Sequence, residues 1–442
     1  MSSPLMDAWS LALYGLPLVI TLIIYLRRQR LLHLRSLQAQ QESVSAGMTE
    51  PASLHPIIDP AKCLGCGACV KACPETSHHD VLGLIDGKAV LIGPSECIGH
   101  GACKSACPFD AITLVFGTER RGLDIPVLKP NFESNVPGIY VAGELGGMGL
   151  IKNALTQGQQ ALEAIAAIVA KSKSRHPGAI DVLIIGAGPA GLAASLAAKK
   201  LGLRYETIEQ DALGGAVFQY PRGKLVMTAP VELPIVGKVH FRNTSKEELL
   251  KFWHQASHGL KINYKERVDG IERRDGVFHV KTSTRSHVAS TVLLAIGRRG
   301  TPRKLGVPGE ELPKVVYRLI DPEQYRGRKV VVVGGGDSAL EAAASVAELG
   351  DSEVILSYRG EAFQRAKQRN RQRVDEASAK GRLKVLLNST IREIRPEAVV
   401  LKHADRELKV ANDAVIVSAG GILPNDFLRS IGIEVETKFG TA

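Results

Sequence analysis

All seven cysteines of this 442-residue chain fall between Cys63 and Cys107. The first run reads Cys63-x2-Cys66-x2-Cys69-x3-Cys73-Pro74. Thiolates at this spacing wrap a [4Fe–4S] cube, and the glycines between them let backbone amides approach its sulfurs. The second run repeats the spacing as Cys97-x2-His100-x2-Cys103-x3-Cys107-Pro108, with histidine in second place. As an iron ligand a neutral imidazole removes one negative charge and raises that cluster's potential. If His100 points away, the second cluster is [3Fe–4S]. Zinc sites usually use separated ligand pairs, which fits this crowding poorly. No cysteine follows Cys107, so the pattern is one metal module in a reducing compartment, not a disulfide framework.

A second chemistry follows downstream. The apolar run Ile180–Ile185 reads as a buried parallel strand and leads into Gly186-Ala-Gly188-Pro189-Ala190-Gly191 and a helical stretch. Glycines at these positions allow a tight turn and close approach of a pyrophosphate, which the helix N-terminus attracts. The next strand ends at Glu209, 18 residues past Gly191, where an acid holds a ribose hydroxyl. A similar turn, Gly334-Gly-Gly336-Asp337-Ser338-Ala339, follows the strand Lys329–Val333. The strand after it ends at Arg359 without an acid, and Arg365 and Lys367 follow. An acid there favours NADH, whereas a basic cluster favours the 2′-phosphate of NADPH. The same charges also suit a solvated basic helix face.

Residues 334–341, Gly-Gly-Gly-Asp-Ser-Ala-Leu-Glu, resemble the nicotinamide-nucleotide turn of the thioredoxin reductase family, and Thr291–Pro302 resembles that family's strand-and-glycine exit. The resemblance implies FAD at the first turn and NADPH (or NADH) at the second. It also implies a closing flavin segment after the NAD(P) domain, with a V-P-G-I-Y-x-A-G-D turn and a helix. Nothing of that kind follows Ser418–Val435; it stands upstream as Asn135-Val-Pro-Gly-Ile-Tyr-Val-Ala-Gly143-Glu144, with a helix from Asn153. A circular permutation is therefore expected, with residues 119–172 completing the FAD domain. Glu144 replaces the family's aspartate, and a hydrogen bond to the ribityl or phosphate part of the flavin is implied for it.

The cysteine runs resemble a two-cluster bacterial ferredoxin. In that family the fourth cysteine of each run crosses to the other cluster. Carried over, Cys63, Cys66, Cys69 and Cys107 hold one cluster, and Cys97, Cys103, Cys73 and His100 surround the other.

The elements that must position these groups follow from the rest of the chain. Residues 9–26 are uncharged and nearly all apolar, long enough at ~1.5 Å per residue to span a bilayer, and Arg27, Arg28, Arg30 and Arg35 follow. This predicts a single membrane span after a tail of residues 1–8, with the remainder at the cytoplasmic side. Residues 27–56 are expected to be a tether, 57–116 the ferredoxin-like module and 117–177 the permuted FAD segment. An FAD domain over 178–302, an NAD(P) domain over 303–417 and a return to the FAD domain over 418–442 complete the plan. The fold class is α/β, with two Rossmann-like domains, a small α+β module and one membrane helix. The charge of +11 is split between separate clusters, and aromatic residues are sparse, so nucleic acid is not expected as a partner. No hydrolase triad or H-E-x-x-H run is present.

The expected activity is NAD(P)H oxidation coupled through FAD and the clusters to a partner redox carrier, in a homodimer. Two rivals remain. A low-molecular-weight disulfide reductase is suggested by Tyr220–Thr228, although residues 178–442 hold no C-x-x-C pair. A membrane-tethered redox sensor without turnover is the other.

Overall fold

The computed structural model describes residues 4–45, 49, 51, 54–77, 80–97, 99, 101–119, 122–147, 149–171, 176–227, 230–241, 243–298, 300–364, 366–404 and 406–440. His100 and Arg365 lie outside them. The chain divides between Val115 and Phe116 into two compact units.

The first unit begins with one long helix, α1 (Pro4–Ser45). The stretch 27–45, expected to be part of a tether, is helix. It contains neither glycine nor proline, and Leu, Arg and Gln are good helix formers. Its second half is fastened to the cysteine-bearing module. Leu84 N donates to Ser36 Oγ (3.1 Å), Asp86 N donates to His33 Nδ1 (3.1 Å), and Arg35 pairs with Asp80 (3.1 Å). Gly83 makes room for this, since a Cβ there would lie 2.5 Å from Ser36 Oγ. Side chains from Leu13 to Leu26 on the same helix are largely exposed. Among the described residues no helix is long and apolar enough to cross a membrane.

The module itself is a pseudo-repeat. Strands His55–Ile58 and Ile112–Val115 pair antiparallel, as do Leu82–Ile85 and Lys88–Leu91. Each cysteine run passes through a left-handed glycine, Gly67 or Gly101, into a short helix, α2 (Ala68–Ala72) or α3 (Ala102–Ser105).

Two sheets dominate the second unit, beside smaller ones of two or three strands. The larger runs Ile262–Tyr264, Tyr205–Glu209, Ile180–Ile185, Ser286–Leu294, Val277–Thr282, Val268–Arg274, and its central strands are parallel. Ile139–Val141 pairs in parallel with the end of Ser286–Leu294, so the upstream segment supplies the seventh strand. Its helix α4 (Ile151–Lys171) turns Ala154, Leu155, Gly158, Ala161, Leu162, Ile165 and Val169 inward, an apolar stripe at helical period. That stripe packs on the alanine-rich α5 (Pro189–Lys200). Leu123–Pro126 pairs with Val435–Lys438, and Asn135 exchanges hydrogen bonds with Gly432 and Glu434 (both 2.9 Å). Three stretches far apart in sequence thus close one core.

The smaller sheet is five parallel strands in the order Val315–Val316, Ala414–Val417, Lys329–Val333, Glu353–Ser357, Leu383–Leu386. Helix α6 (Lys246–Ala256) belongs to the larger domain, while α7 (Asp337–Ala347) and α8 (Gln368–Ala379) pack together beside the smaller sheet. Lys224 with Glu341 (2.5 Å) and Arg222 with Asp321 (3.2 Å) join the two domains.

Candidate functional site

The thiols gather around two separate hollows. One is lined by Cys63, Cys66, Cys69 and Cys107; the other by Cys73, Cys97 and Cys103. The last cysteine of each run therefore lines the hollow of the other run. Among the described residues no three His, Cys, Asp or Glu side chains converge as a single-ion site. Thiols ringing a space fit a multi-iron cube better than one zinc ion. Burial pushes the Cys69 and Cys97 thiols up to about 11 and raises Cys103 as well. At neutral pH the metal-free module therefore holds neutral thiols there, and cluster binding must release their protons.

The first glycine turn is built for a buried diphosphate. A Cβ on Gly186 would lie 2.5 Å from Ala295 O, and one on Gly191 would lie 1.8 Å from Gly186 O, so strand, turn and helix meet without side chains. Above Gly188 the nearest atom to such a Cβ is 3.9 Å away, leaving room for a ligand. Pro189 and Ala190 open α5, whose N-terminal amides point into that room. Glu209 is buried and accepts from Ala187 N (2.7 Å) and Asp211 N (2.8 Å). Burial pushes its carboxyl upward, and the amide bonds hold it back. It therefore braces the glycine turn as well as standing where a ribose hydroxyl is expected.

Three parallel strands end side by side here, with Val141 and Ile185 both in register with Leu294. Gly143–Glu144 follows the first of these ends and Gly186–Gly191 the second. Gly143 has φ 85° and ψ −154°, a conformation open to glycine, and its N–H donates to Gln157 Oε1 (2.9 Å). Three residues here escaped the sequence reading. Gln157 fixes the Gly143 turn to α4. Asn153 has a buried Nδ2 with no partner among the described residues, at the start of α4. Arg298 is half-buried; burial pushes its guanidinium down, while Glu144 and Asp124 pull it up. An amide in a helix's first turn and an arginine after a glycine exit were the only available signals, and both are common on surfaces.

At the second turn Gly334 has φ 142°, and a Cβ there would lie 2.3 Å from Ser418 O. Ala339 is fully buried beneath it, whereas Gly336 and Ser338 are exposed. Asp337 turns Oδ1 to Lys367 N and Asn370 Nδ2 (both 2.8 Å), so it anchors the start of α8. Tyr358 lies against Gly335, where a Cβ would meet its ring at 2.3 Å, and stacks on Phe363. Arg359 is exposed beyond the strand Glu353–Ser357.

Comparison with known proteins bears on this arrangement directly. Residues 183–440 match the profile of the pyridine nucleotide-disulphide oxidoreductases. The chain belongs to that family. Residues 55–108 of this oxidoreductase match a 4Fe-4S dicluster domain. Its reductase part is 33% identical to a ferredoxin–NADP reductase of Ignicoccus hospitalis, covering 58% of this chain and 83% of the relative. It is 32% identical to a thioredoxin reductase of Treponema pallidum, covering 57% and 81%. In fold it is similar to a bacillithiol disulfide reductase from Staphylococcus aureus, with a TM-score of 0.52, 23% identity and 58% and 80% coverage. This oxidoreductase is accordingly FAD-dependent, uses NAD(P)H and carries an iron–sulfur domain.

Proposed function

We propose that this oxidoreductase is a membrane-tethered NADPH enzyme whose built-in dicluster module passes electrons singly to a partner carrier. The observation that carries the reading is the pair of thiol-ringed hollows in one polypeptide with two dinucleotide turns. Bound FAD would supply the conversion between the two-electron chemistry of NADPH and the one-electron chemistry of iron–sulfur clusters.

The chain's own residues divide the work. Gly186, Gly188 and Gly191 admit the flavin diphosphate, Glu209 holds the ribose, and Gly143–Glu144 meets the ribityl side. Gly334, Gly336, Ser338 and Ala339 admit the nicotinamide dinucleotide. Arg359 and Arg365 bind its 2′-phosphate, supported by a relative named for NADP. Cys63, Cys66, Cys69 and Cys107 hold one [4Fe–4S] cluster. Cys73, Cys97, Cys103 and His100 hold the other, whose neutral ligand raises its potential. A ferredoxin–NADP reductase is named for ferredoxin and NADP; here a ferredoxin-like part is joined covalently to the reductase. The segment 119–172 completes the flavin site as a circular permutation, supported by its strand pairing with Ser286–Leu294. A homodimer is the assembly we expect.

The membrane reading rests on the exposed apolar side chains Leu13–Leu26 followed by arginines, with the catalytic part on the cytoplasmic side. Alkaline carbonate extraction tests it: release of intact protein would sink the anchor. The electron path is tested by anaerobic NADPH titration of the loaded enzyme. Flavin bleaching should be followed by loss of iron–sulfur absorbance, and bleaching without iron reduction overturns the path. The disulfide-reductase reading has no cysteine to work with in residues 108–442.

A further inference from the structure

The two cysteine runs are pseudo-repeats, and the segments that flank them differ in exposure. Residues leading into the first run, Pro60, Ala61 and Lys62, are all exposed. Their counterparts are Pro94, Ser95 and Glu96, of which Ser95 and Glu96 are buried. After the crossing cysteines the contrast recurs. Phe109, two residues past Cys107 at the first hollow, is 42% exposed, whereas Glu75, two residues past Cys73 at the second, is 5% exposed. Leu64 and Phe109 both line the first hollow, and Leu64 is 66% exposed beside the exposed Cys66. Among the described residues lining the second hollow, no thiol and no large apolar side chain is exposed.

Large apolar side chains exposed at the mouth of a redox site cost hydration unless something covers them. We infer that Leu64 and Phe109 form the rim on which the external partner docks, making the Cys63–Cys66–Cys69–Cys107 hollow the port to the outside. The occupant is a small one-electron carrier protein whose own redox centre reaches an apolar surface. Charges at the rim are of both signs, Lys62 with Asp59 (4.0 Å) and Asp110, so apolar contact dominates over steering. Each encounter moves one electron: the carrier gains what the module loses, and no bond or proton changes hands. The inference rests on the electron path proposed above.

The test uses the full loaded protein reduced with dithionite, with rubredoxin as the carrier. His100→Cys alters one EPR signal and so assigns the other to the first hollow. That other signal should be relaxed more strongly by an aqueous gadolinium chelate, and zinc-substituted rubredoxin should suppress the effect. Stronger relaxation of the second signal, or no protection, overturns the inference. In the double variant Leu64→Gln/Phe109→Gln, transfer to rubredoxin should slow at least tenfold, with little dependence on salt. NADPH-driven flavin bleaching should stay unchanged. An unchanged transfer rate overturns the inference. So does slowed reduction of the clusters by NADPH, which would mean that the rim serves the flavoprotein unit. If NADPH never reduces the clusters in the wild type, the electron path fails, while the dithionite and relaxation measurements still decide the rim.

Discussion

Replacing Gly158 by alanine tests whether the upstream helix shapes the flavin site. Gly158 sits on α4 where it crosses α5, and its added Cβ would lie 2.0 Å from Ala190 O. That is about 1.4 Å short of ordinary contact. The obstacle is backbone, not a flexible side-chain end, so either α4 retreats or Ala190 moves. Ala190 belongs to the turn Gly188–Gly191, whose amides face the cofactor space. Overpacking of this kind costs about 1–3 kcal/mol. If the strain falls on the turn, FAD affinity drops by about 5- to 150-fold. The assay is reconstitution of FAD-free protein, followed by quenching of flavin fluorescence, with the exposed Gln160→Ala as control. A dissociation constant within twofold of wild type would refute the claim that α4 is load-coupled to the phosphate turn.

Other expectations follow from the same geometry. Cys107→Ser should perturb the EPR signal that Cys63→Ser perturbs, and Cys73→Ser the other; grouping by run instead would contradict the two hollows. Arg359→Ala should raise KM for NADPH roughly tenfold, equivalent to about 1.4 kcal/mol, and leave KM for NADH unchanged in steady-state assays. Glu266 is buried, yet hydrogen bonds from His287 (2.7 Å), Thr282 (2.8 Å) and Arg285 outweigh that burial and hold its carboxyl down to about 2. Its depressed value stabilises the fold above the ordinary carboxylate range, and that gain is lost as pH falls toward about 2. Glu266→Gln should therefore cost about 1.5–3 kcal/mol in urea unfolding at pH 7, with the deficit shrinking toward pH 3. Arg298→Gln should weaken FAD retention on gel filtration, since it removes a half-buried cation beside Glu144; full retention would count against a role at the flavin.

Local patterns carried much of this site. Thiol spacing announced the two hollows, and each glycine turn announced itself through the strand before it and the helix after it. The upstream segment was legible as part of the larger sheet's core, because Val-Pro-Gly-Ile-Tyr-Val-Ala-Gly143-Glu144 carries its own strand and turn. What stayed hidden depends on partners distant in sequence. Residues 27–45 read as a tether by composition, yet His33, Arg35 and Ser36 find partners near residues 80–86 and the helix continues. Nothing local announced that Asp337 also anchors the start of α8. Gln157, Asn153 and Arg298 acquire meaning only once three strand ends lie side by side.

The strand Leu123–Pro126 waits for Val435–Lys438, more than three hundred residues later. During synthesis the cysteine module, complete by Val115, has emerged long before the flavin pocket can close. The module's thiols are therefore all on the growing chain before the strand that pairs with Leu123–Pro126 has been made.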